Sequence, residues 1–270
     1  MGPAPGGGGS GGVPSPGEFY APLSQPIFPA RIIPVGARAL NFGTQFYAAL
    51  PVNNLAFVDS EAALPNAGPG TIVTFSGKAI SVGRLVVLAV VAPINGGADW
   101  SVADNAPSTA NVWTMLVKSN NASGRQVQLF YSVLATAIGT LDIITATLPS
   151  SVDCTGYAMW FSGNHATPAD GSNTATGNST GWSSGTLVNA NAVDVAIGAF
   201  AAPGSESLGD FSYSASDGYT RFKADTGASA TKTSVRMMYK IISSSATQEA
   251  VETVNTSLQY AGLIGCFKSS

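Results

Sequence analysis

From residue 71 onward, apolar residues occur in short runs separated by clusters of Gly, Asn, Ser and Asp, a pattern typical of β-strands joined by turns. The runs are rich in Val, Ile, Thr, Tyr and Phe, and no long stretch repeats with the 3.6-residue period of a helix. We therefore predict an all-β body with eleven strands: Thr71–Ser76, Leu85–Val91, Trp113–Lys118, Val127–Leu134, Leu141–Leu148, Tyr157–Phe161, Val193–Phe200, Tyr219–Lys223, Ser234–Ile242, Glu249–Asn255 and Tyr260–Phe267.

Alternation within these runs indicates how the sheets pack. In Val127–Leu134, every second residue gives one fully apolar face (Val, Leu, Tyr, Val) and one mixed face (Gln, Phe, Ser, Leu). A strand of this kind belongs to a sheet that packs on a second sheet. The pattern predicts an antiparallel β-sandwich.

The strongest internal signal is a diverged duplication. LVVLAVVA at Leu85–Ala92 corresponds to DVAIGAFA at Asp194–Ala201, LFYSV at 129–133 to MMYKI at 237–241, and GYAMWF at 156–161 to QYAGLI at 259–264. Two repeats are too few for a solenoid, so they predict two related halves, about 71–163 and 186–268, that form one sandwich or two adjacent ones. We favour a single jelly-roll-like sandwich, with residues 162–185 as an exposed polar loop between the halves.

The order of these motifs also resembles a known family. GRLVVLAVV, LFYSV, GYAMWFSG, a Gly/Ser/Thr-rich segment and then GYTRF and MMYKI follow one another as in the repetitive β-sandwich modules of tailed-bacteriophage virion surface proteins. The resemblance covers about residues 71–268. It implies a structural or adhesive role in a head decoration, a spike or a tail appendage, with no catalytic residues to carry over.

The N-terminal segment differs from the body. Residues 1–36 are dominated by Gly and Pro, which prevents a helix or a sheet from propagating, and residues 37–70 form a connector of mixed pattern. We expect an extended arm that becomes ordered only against neighbouring subunits, since ordering costs about 1–2 kcal/mol per residue. The alternative is that the first dozen residues are an added linker. The apolar side chains that would anchor the arm are Phe19, Tyr20, Leu23, Ile27, Phe28, Ile32 and Ile33.

Charge and hydropathy exclude several classes of partner. The chain has 270 residues, of which 12 are Lys or Arg and 15 are Asp or Glu, so a net charge of -3 offers no basic surface for nucleic acid. The longest apolar run, Leu85–Ala92, is too short to insert in a membrane as a helix, and the start lacks the pattern of a secretory signal. We expect synthesis in the host cytoplasm, location in the virion, and contacts with other virion proteins in a homo-oligomer, for which a trimer is one arrangement.

Candidate catalytic patterns have structural explanations. Gly181–Gly185 (GWSSG) formally matches G-x-S-x-G, but His165 precedes it, whereas a nucleophile elbow needs the histidine later in the chain. The pairs Asp99/Asp104 and Asp210/Asp217 recur at matching places in the halves and are expected to form turns. One histidine and two distant cysteines, Cys154 and Cys266, do not make a zinc site, and we expect both cysteines to be buried thiols. We predict no enzyme, no cofactor and no metal.

These observations favour a non-catalytic virion surface protein, such as a capsid decoration or a spike. The alternative is a tail fibre or receptor-binding protein that adheres to host glycan, because exposed aromatic rings can stack on sugar faces. Three aromatic residues would make such a contact, or a contact to a neighbouring subunit: Trp182, which lies among Gly and Ser, Trp100 and Phe211.

Overall fold

The chain forms β-strands and no helix in the residues that the computed structural model describes, which are 54–63, 70–93, 98–106, 111–188, 191, 193–203, 218–225 and 233–270. The predicted all-β class is confirmed. The strands in chain order are β1 (Ala56–Ala62), β2 (Gly70–Ser76), β3 (Leu85–Pro93), β4 (Ser101–Asp104), β5 (Thr114–Asn120), β6 (Arg125–Val133), β7 (Ile143–Val152), β8 (Thr155–Ser162), β9 (Asn164–Ser183), β10 (Leu187–Val188), β11 (Asp194–Pro203), β12 (Thr220–Asp225), β13 (Thr233–Ile242), β14 (Thr247–Gln248) and β15 (Val251–Ser269).

Each half of the chain builds its own pair of antiparallel sheets. The first half forms a five-stranded inner sheet, β1-β8-β3-β6-β5, and a three-stranded outer sheet, β2-β7-β4. The second half forms a five-stranded inner sheet, β12-β13-β11-β15-β9, and an outer sheet of β10 and β14 within the described residues. Of the two arrangements that the duplication allowed, the structure has two adjacent sandwiches, and our preference for a single shared one was wrong.

Strand order shows that the two halves repeat one topology. Written from its other edge, the second inner sheet is β9-β15-β11-β13-β12, which matches β1-β8-β3-β6-β5 strand for strand. The matching edge strands even carry a β-bulge at the same place, between Phe57 and Asp59 in β1 and opposite Cys266 and Phe267 in β9. The jelly-roll topology stays a prediction. In the first half, β5 pairs with β6 in the inner sheet. In the second half, residues 204–217, between β11 and β12, lie outside the described residues.

Hydrogen-bond register corrects the alignment of the repeats. Leu85 pairs with Val133 and Phe161, and Val195 pairs with Ile241 and Phe267. Leu85 therefore matches Val195, whereas the sequence alignment had matched Leu85 with Asp194, one residue earlier. The alignment of LFYSV with MMYKI was right, whereas the final strand was placed three residues too early, because GYAMWF matches GLIGCF at 262–267.

The predicted boundaries of the halves need two further corrections. Residues 162–185 are not a loop, because 164–183 form the 20-residue strand β9, which pairs along β15. The halves are joined by a single residue, Gly163, whose φ of 75° lets the chain turn from β8 into β9. The first half begins within the predicted connector, because β1 lies at 56–62. The predicted arm, residues 1–36, lies outside the described residues.

The two inner sheets pack face to face across an apolar layer, here called the inner interface. Alternate residues of β3, β6 and β8 meet alternate residues of β11, β13 and β15, and the buried members include Leu85, Leu129, Ile197, Met237 and Leu263, all with no exposed surface. The other face of the first inner sheet packs on its outer sheet around Phe75 and Trp160. Because β3 is covered on both faces, its apolar run is continuous and does not alternate.

Two aromatic contacts across the inner interface reveal an approximate twofold axis parallel to the strands. Tyr131 of the first half meets Phe267 of the second edge-to-face at 5.4 Å between ring centroids, and Tyr239 meets Phe161 in the same geometry at 5.5 Å. The register matches Tyr131 with Tyr239 and Phe161 with Phe267, so each contact is the image of the other. The interface therefore has the self-complementary form of a twofold dimer within one chain.

We expect Phe161→Ala and Phe267→Ala each to lower the free energy of unfolding by about 3–5 kcal/mol, since each removes a fully buried ring from the inner interface. Urea unfolding followed by circular dichroism measures both losses. The control is Val188→Ala at an exposed site, for which the change should stay within about 0.5 kcal/mol. A cost at either phenylalanine no larger than that of the control would show that the ring does not hold the halves together.

Candidate functional site

The aromatic residues predicted to contact glycan are buried where the structure describes them. Trp182 has no exposed surface, donates its indole N–H to the carbonyl of Ser179 at 3.1 Å, and stacks on Tyr260 at 5.7 Å. Trp100 is 7% exposed and packs between the sheets of the first half. The prediction that Trp182 and Trp100 form an exposed contact was therefore wrong. Phe211 and the seven apolar residues of the arm lie outside the described residues.

The suspected hydrolase motif is part of a strand. The Ser183 hydroxyl donates to the Glu249 carboxylate at 2.5 Å and accepts from the backbone N–H of Gly185 at 2.9 Å. His165 and Ser183 lie near opposite ends of β9, whose 20 residues place them roughly 60 Å apart along the chain at roughly 3.3 Å per residue. His165 instead contacts Thr167 at the surface. The two side chains cannot act on one substrate atom.

The carboxylates of the first half also make structural contacts. Asp99 pairs with Lys118 at an exposed position. Asp104 accepts the indole N–H of Trp113 at 2.7 Å and the backbone N–H of Ala106 at 3.2 Å, so it holds the turn that follows β4. The turn role predicted for Asp104 is confirmed, while Asp210 and Asp217 lie outside the described residues. Within the described ranges, no group of three or more His, Cys, Asp or Glu side chains could hold a metal ion.

One buried ion pair fastens the edge strand β12 to β15. Arg221 lies 3.3 Å from the Glu252 carboxylate, and both side chains are more than nine-tenths buried. The same guanidinium donates to the carbonyls of Tyr219 and Val251, at 3.1 Å each. Breaking such a pair leaves a buried charge, which is strongly destabilising. The pair therefore supports the fold of the second half.

The two ends of the body differ chemically. At one end, here called the entry end, β1, β3, β5, β9 and β11 begin and β6, β8, β13 and β15 end. Asn54 enters the body there, and its backbone N–H donates to Ser269 at 2.8 Å. Three apolar side chains in the turns of this end face solvent: Val82 is 59% exposed, Val112 79% and Leu141 93%.

The turns of the entry end are held in place by hydrogen bonds to backbone and side-chain acceptors. The N–H of Gly83 donates to the carbonyl of Leu134, the N–H of Thr136 donates to the Asn111 side chain, and the N–H of Gly139 donates to the Asp142 carboxylate. The exposed apolar side chains are therefore presented by turns that these hydrogen bonds hold in place. Singly exposed apolar residues are common on protein surfaces, and Val82, Val112 and Leu141 precede three different strands, β3, β5 and β7.

At the opposite end, here called the far end, a small cleft opens between the two halves. It has a volume of about 160 Å³ and is lined by Asn121 and Ala122 of the β5–β6 turn, residues 176–178 of β9, and Gln259 of β15. Sequence analysis missed all of these residues. They come from three separate segments, and no spacing or motif links them, so only the folded arrangement of the halves reveals the cleft.

Both cysteines are buried thiols, as predicted. Burial is the main cause that raises the pKa of Cys266 to about 12, with smaller contributions from the charges of Asp194 and Asp170. Among the described residues, no helix is long and apolar enough to cross a membrane. No protein family, no curated protein and no solved structure matches this chain.

The folded protein should resist thiol modification. At about pH 8, a thiol with a pKa near 12 is ionised in about one molecule in ten thousand, and only the thiolate reacts quickly. We expect no labelling of Cys154 or Cys266 by a maleimide dye in the native chain and two labels per chain after denaturation in guanidinium, as read by mass spectrometry. Stoichiometric labelling of the native protein would contradict the buried position of these thiols.

Proposed function

We propose that this chain is a non-catalytic structural protein of a tailed-phage virion, a surface protein such as a capsid decoration or a spike, anchored to neighbouring subunits through its N-terminal arm. The observation that carries the proposal is the entry end. At that end the backbone N–H of Asn54 donates to Ser269, and Val82, Val112 and Leu141 in the turns are exposed. The apolar residues of the predicted arm and the exposed apolar side chains of this end would both contact neighbouring subunits.

Three further observations support this function. The order of the motifs in residues 71–268 resembles phage β-sandwich modules. The candidate catalytic groups Asp104, Ser183 and His165 make hydrogen bonds to neighbouring turns and strands. The two sandwiches share a buried apolar interface, which makes the body a rigid block. A rigid block with one attachment end suits a component that is displayed in many copies.

The alternative function, a tail fibre or receptor-binding protein, loses the support that first suggested it. That interpretation needed Trp182 and Trp100 to stack on sugars, and both are buried. Phe211, the third residue of that interpretation, lies outside the described residues, so a contact with glycan would use Phe211 or other residues.

Self-association tests the attachment surface. We expect the full chain to form an oligomer, and the variant lacking residues 1–36, or the triple variant Val82→Thr, Val112→Thr, Leu141→Ser, to lose at least about tenfold in association constant with an unchanged circular dichroism spectrum. Because the surface is apolar, the oligomer should persist in about 1 M NaCl, where the Debye length is about 3 Å. Analytical ultracentrifugation measures the association.

The matched control for the triple variant is Ile72→Thr, which removes an exposed apolar side chain from the outer sheet of the first half, away from the entry end. It should associate as the unaltered chain does. If the truncated chain and the triple variant both assemble normally, the arm and the entry end are not the attachment surface.

The location in the virion is tested on purified particles of the source phage. We expect mass spectrometry to find the chain at many copies per particle, and immunogold labelling with antibodies against the body to mark the particle surface. Its absence from particles that infect normally would overturn the proposal.

A further inference from the structure

Each half of the body builds its sheets without strands from the other half. Every sheet among the described residues is made of strands from one half only, so no ladder of backbone hydrogen bonds crosses between the halves. The halves meet instead through the side chains of the inner interface. Moving one half away from the other would therefore leave all of these sheets intact and would expose two apolar faces.

The inner interface has the same contacts whether its two faces come from one chain or from two copies. Tyr131 packs on Phe267, and Tyr239 packs on Phe161, in matching edge-to-face contacts. A first half from one copy and a second half from another copy would make both contacts again. Because such an exchange, a domain swap, recovers the same packing, the connection between the halves determines whether it occurs.

The connection between the halves is a single residue at the entry end. β8 ends at Ser162 and β9 begins at Asn164, so Gly163 alone reverses the chain. Its φ of 75° lies in the left-handed region, which residues with a Cβ atom rarely adopt. A Cβ atom added to Gly163 would also collide with the carbonyl oxygen of Asn54. The reversed connection therefore requires glycine at this position.

Hydrogen bonds to the end of the chain hold this reversed connection. The carbonyl of Gly163 accepts the backbone N–H of Ser270 at 2.8 Å and the Ser269 hydroxyl at 3.3 Å. The closed form, in which both halves of one chain pack on each other, is thus stabilised at its turn. It is also favoured in dilute solution, because the two halves of one chain are held at a high effective concentration.

We propose that Gly163 is the hinge of a domain-swapped dimer, in which the first half of each copy packs through the inner interface on the second half of the other. The partner is a second copy of this chain. With Gly163 extended, β8 continues directly towards β9, and the two bodies of the dimer are joined at their entry ends. The inference goes beyond the proposed function and does not rest on it, because it uses the inner interface and not the arm.

Refolding of the full chain at two concentrations tests the swap. Refolding from guanidinium at high micromolar concentration should give a dimer, because separated halves then meet another copy, whereas refolding at low nanomolar concentration should give the closed monomer. The dimer should persist for hours after dilution, since its dissociation requires the inner interface to open and unfolding is slow. Sedimentation velocity after dilution measures the persistent dimer.

Gly163→Ala tests the hinge, because it strains the closed form and leaves an extended hinge unstrained. The left-handed conformation should disfavour alanine about tenfold at each hinge, and a dimer relieves two hinges, so its association constant should rise about a hundredfold. The matched control is Gly124→Ala in the β5–β6 turn, where φ is also 75° but an added Cβ atom has no neighbour within 4 Å. Its strain is equal in both forms, so it should dimerise as the unaltered chain does.

A longer hinge should act in the opposite direction. Inserting Gly-Ser-Gly-Ser after Gly163 lets the chain fold back without strain and should abolish the persistent dimer. This variant decides the question if Gly163→Ala does not fold. The proposal is refuted if the unaltered chain gives no persistent dimer, if the longer hinge dimerises equally, or if folded Gly163→Ala dimerises no more than Gly124→Ala.

The swap and the attachment through the arm are distinguishable. Association through the arm should be lost when residues 1–36 are removed and should reverse on dilution. The swapped dimer should survive both changes, because its contacts lie in the inner interface. Failure of either proposal therefore leaves the other as it stands.

Discussion

The fold depends on the packing of two inner sheets through faces that are mainly apolar. A shift of any central strand by one residue would reverse its faces and bring polar residues such as Gln128 and Ser132 of β6 into the inner interface. The register of both halves is therefore fixed by the same layer. The paired contacts of Tyr131 with Phe267 and of Tyr239 with Phe161 show that each half satisfies this constraint in the same way.

The inner interface also explains the composition of the chain. A strand such as β3 or β11 is covered on one face by the opposite inner sheet and on the other by its own outer sheet, so neither face can carry unpaired charge. Charge is rare in the described sheets but present: Glu252 of β15 pairs with Arg221, and Asp194 of β11 and Arg236 of β13 are buried. The low charged fraction of 10% is in keeping with the packing of four layers.

The features predictable from sequence were those encoded within one strand. Both β3 and β6 can be identified as strands from local patterns. Burial on both faces makes β3 a continuous apolar run, and the difference between its two faces makes β6 alternate. β9 has no such pattern: its Gly, Asn, Ser and Thr are typical of a loop, and it is a strand because β15 offers a partner of similar length. Trp182 is buried for the same reason, since only that pairing brings it to Tyr260. Asn121 and Gln259 line one cleft only once both halves have folded.

The direction of the twofold axis determines which ends of the two halves lie together. Because the axis runs parallel to the strands, the entry ends of the two halves lie together, and so do their far ends. A perpendicular axis would instead place the entry end of one half beside the far end of the other. At the far end, residues 176–178 of β9 in the second half and the turn that holds Asn121 in the first half line the same cleft. The cleft is therefore formed jointly by both halves, because the twofold axis brings their corresponding ends together.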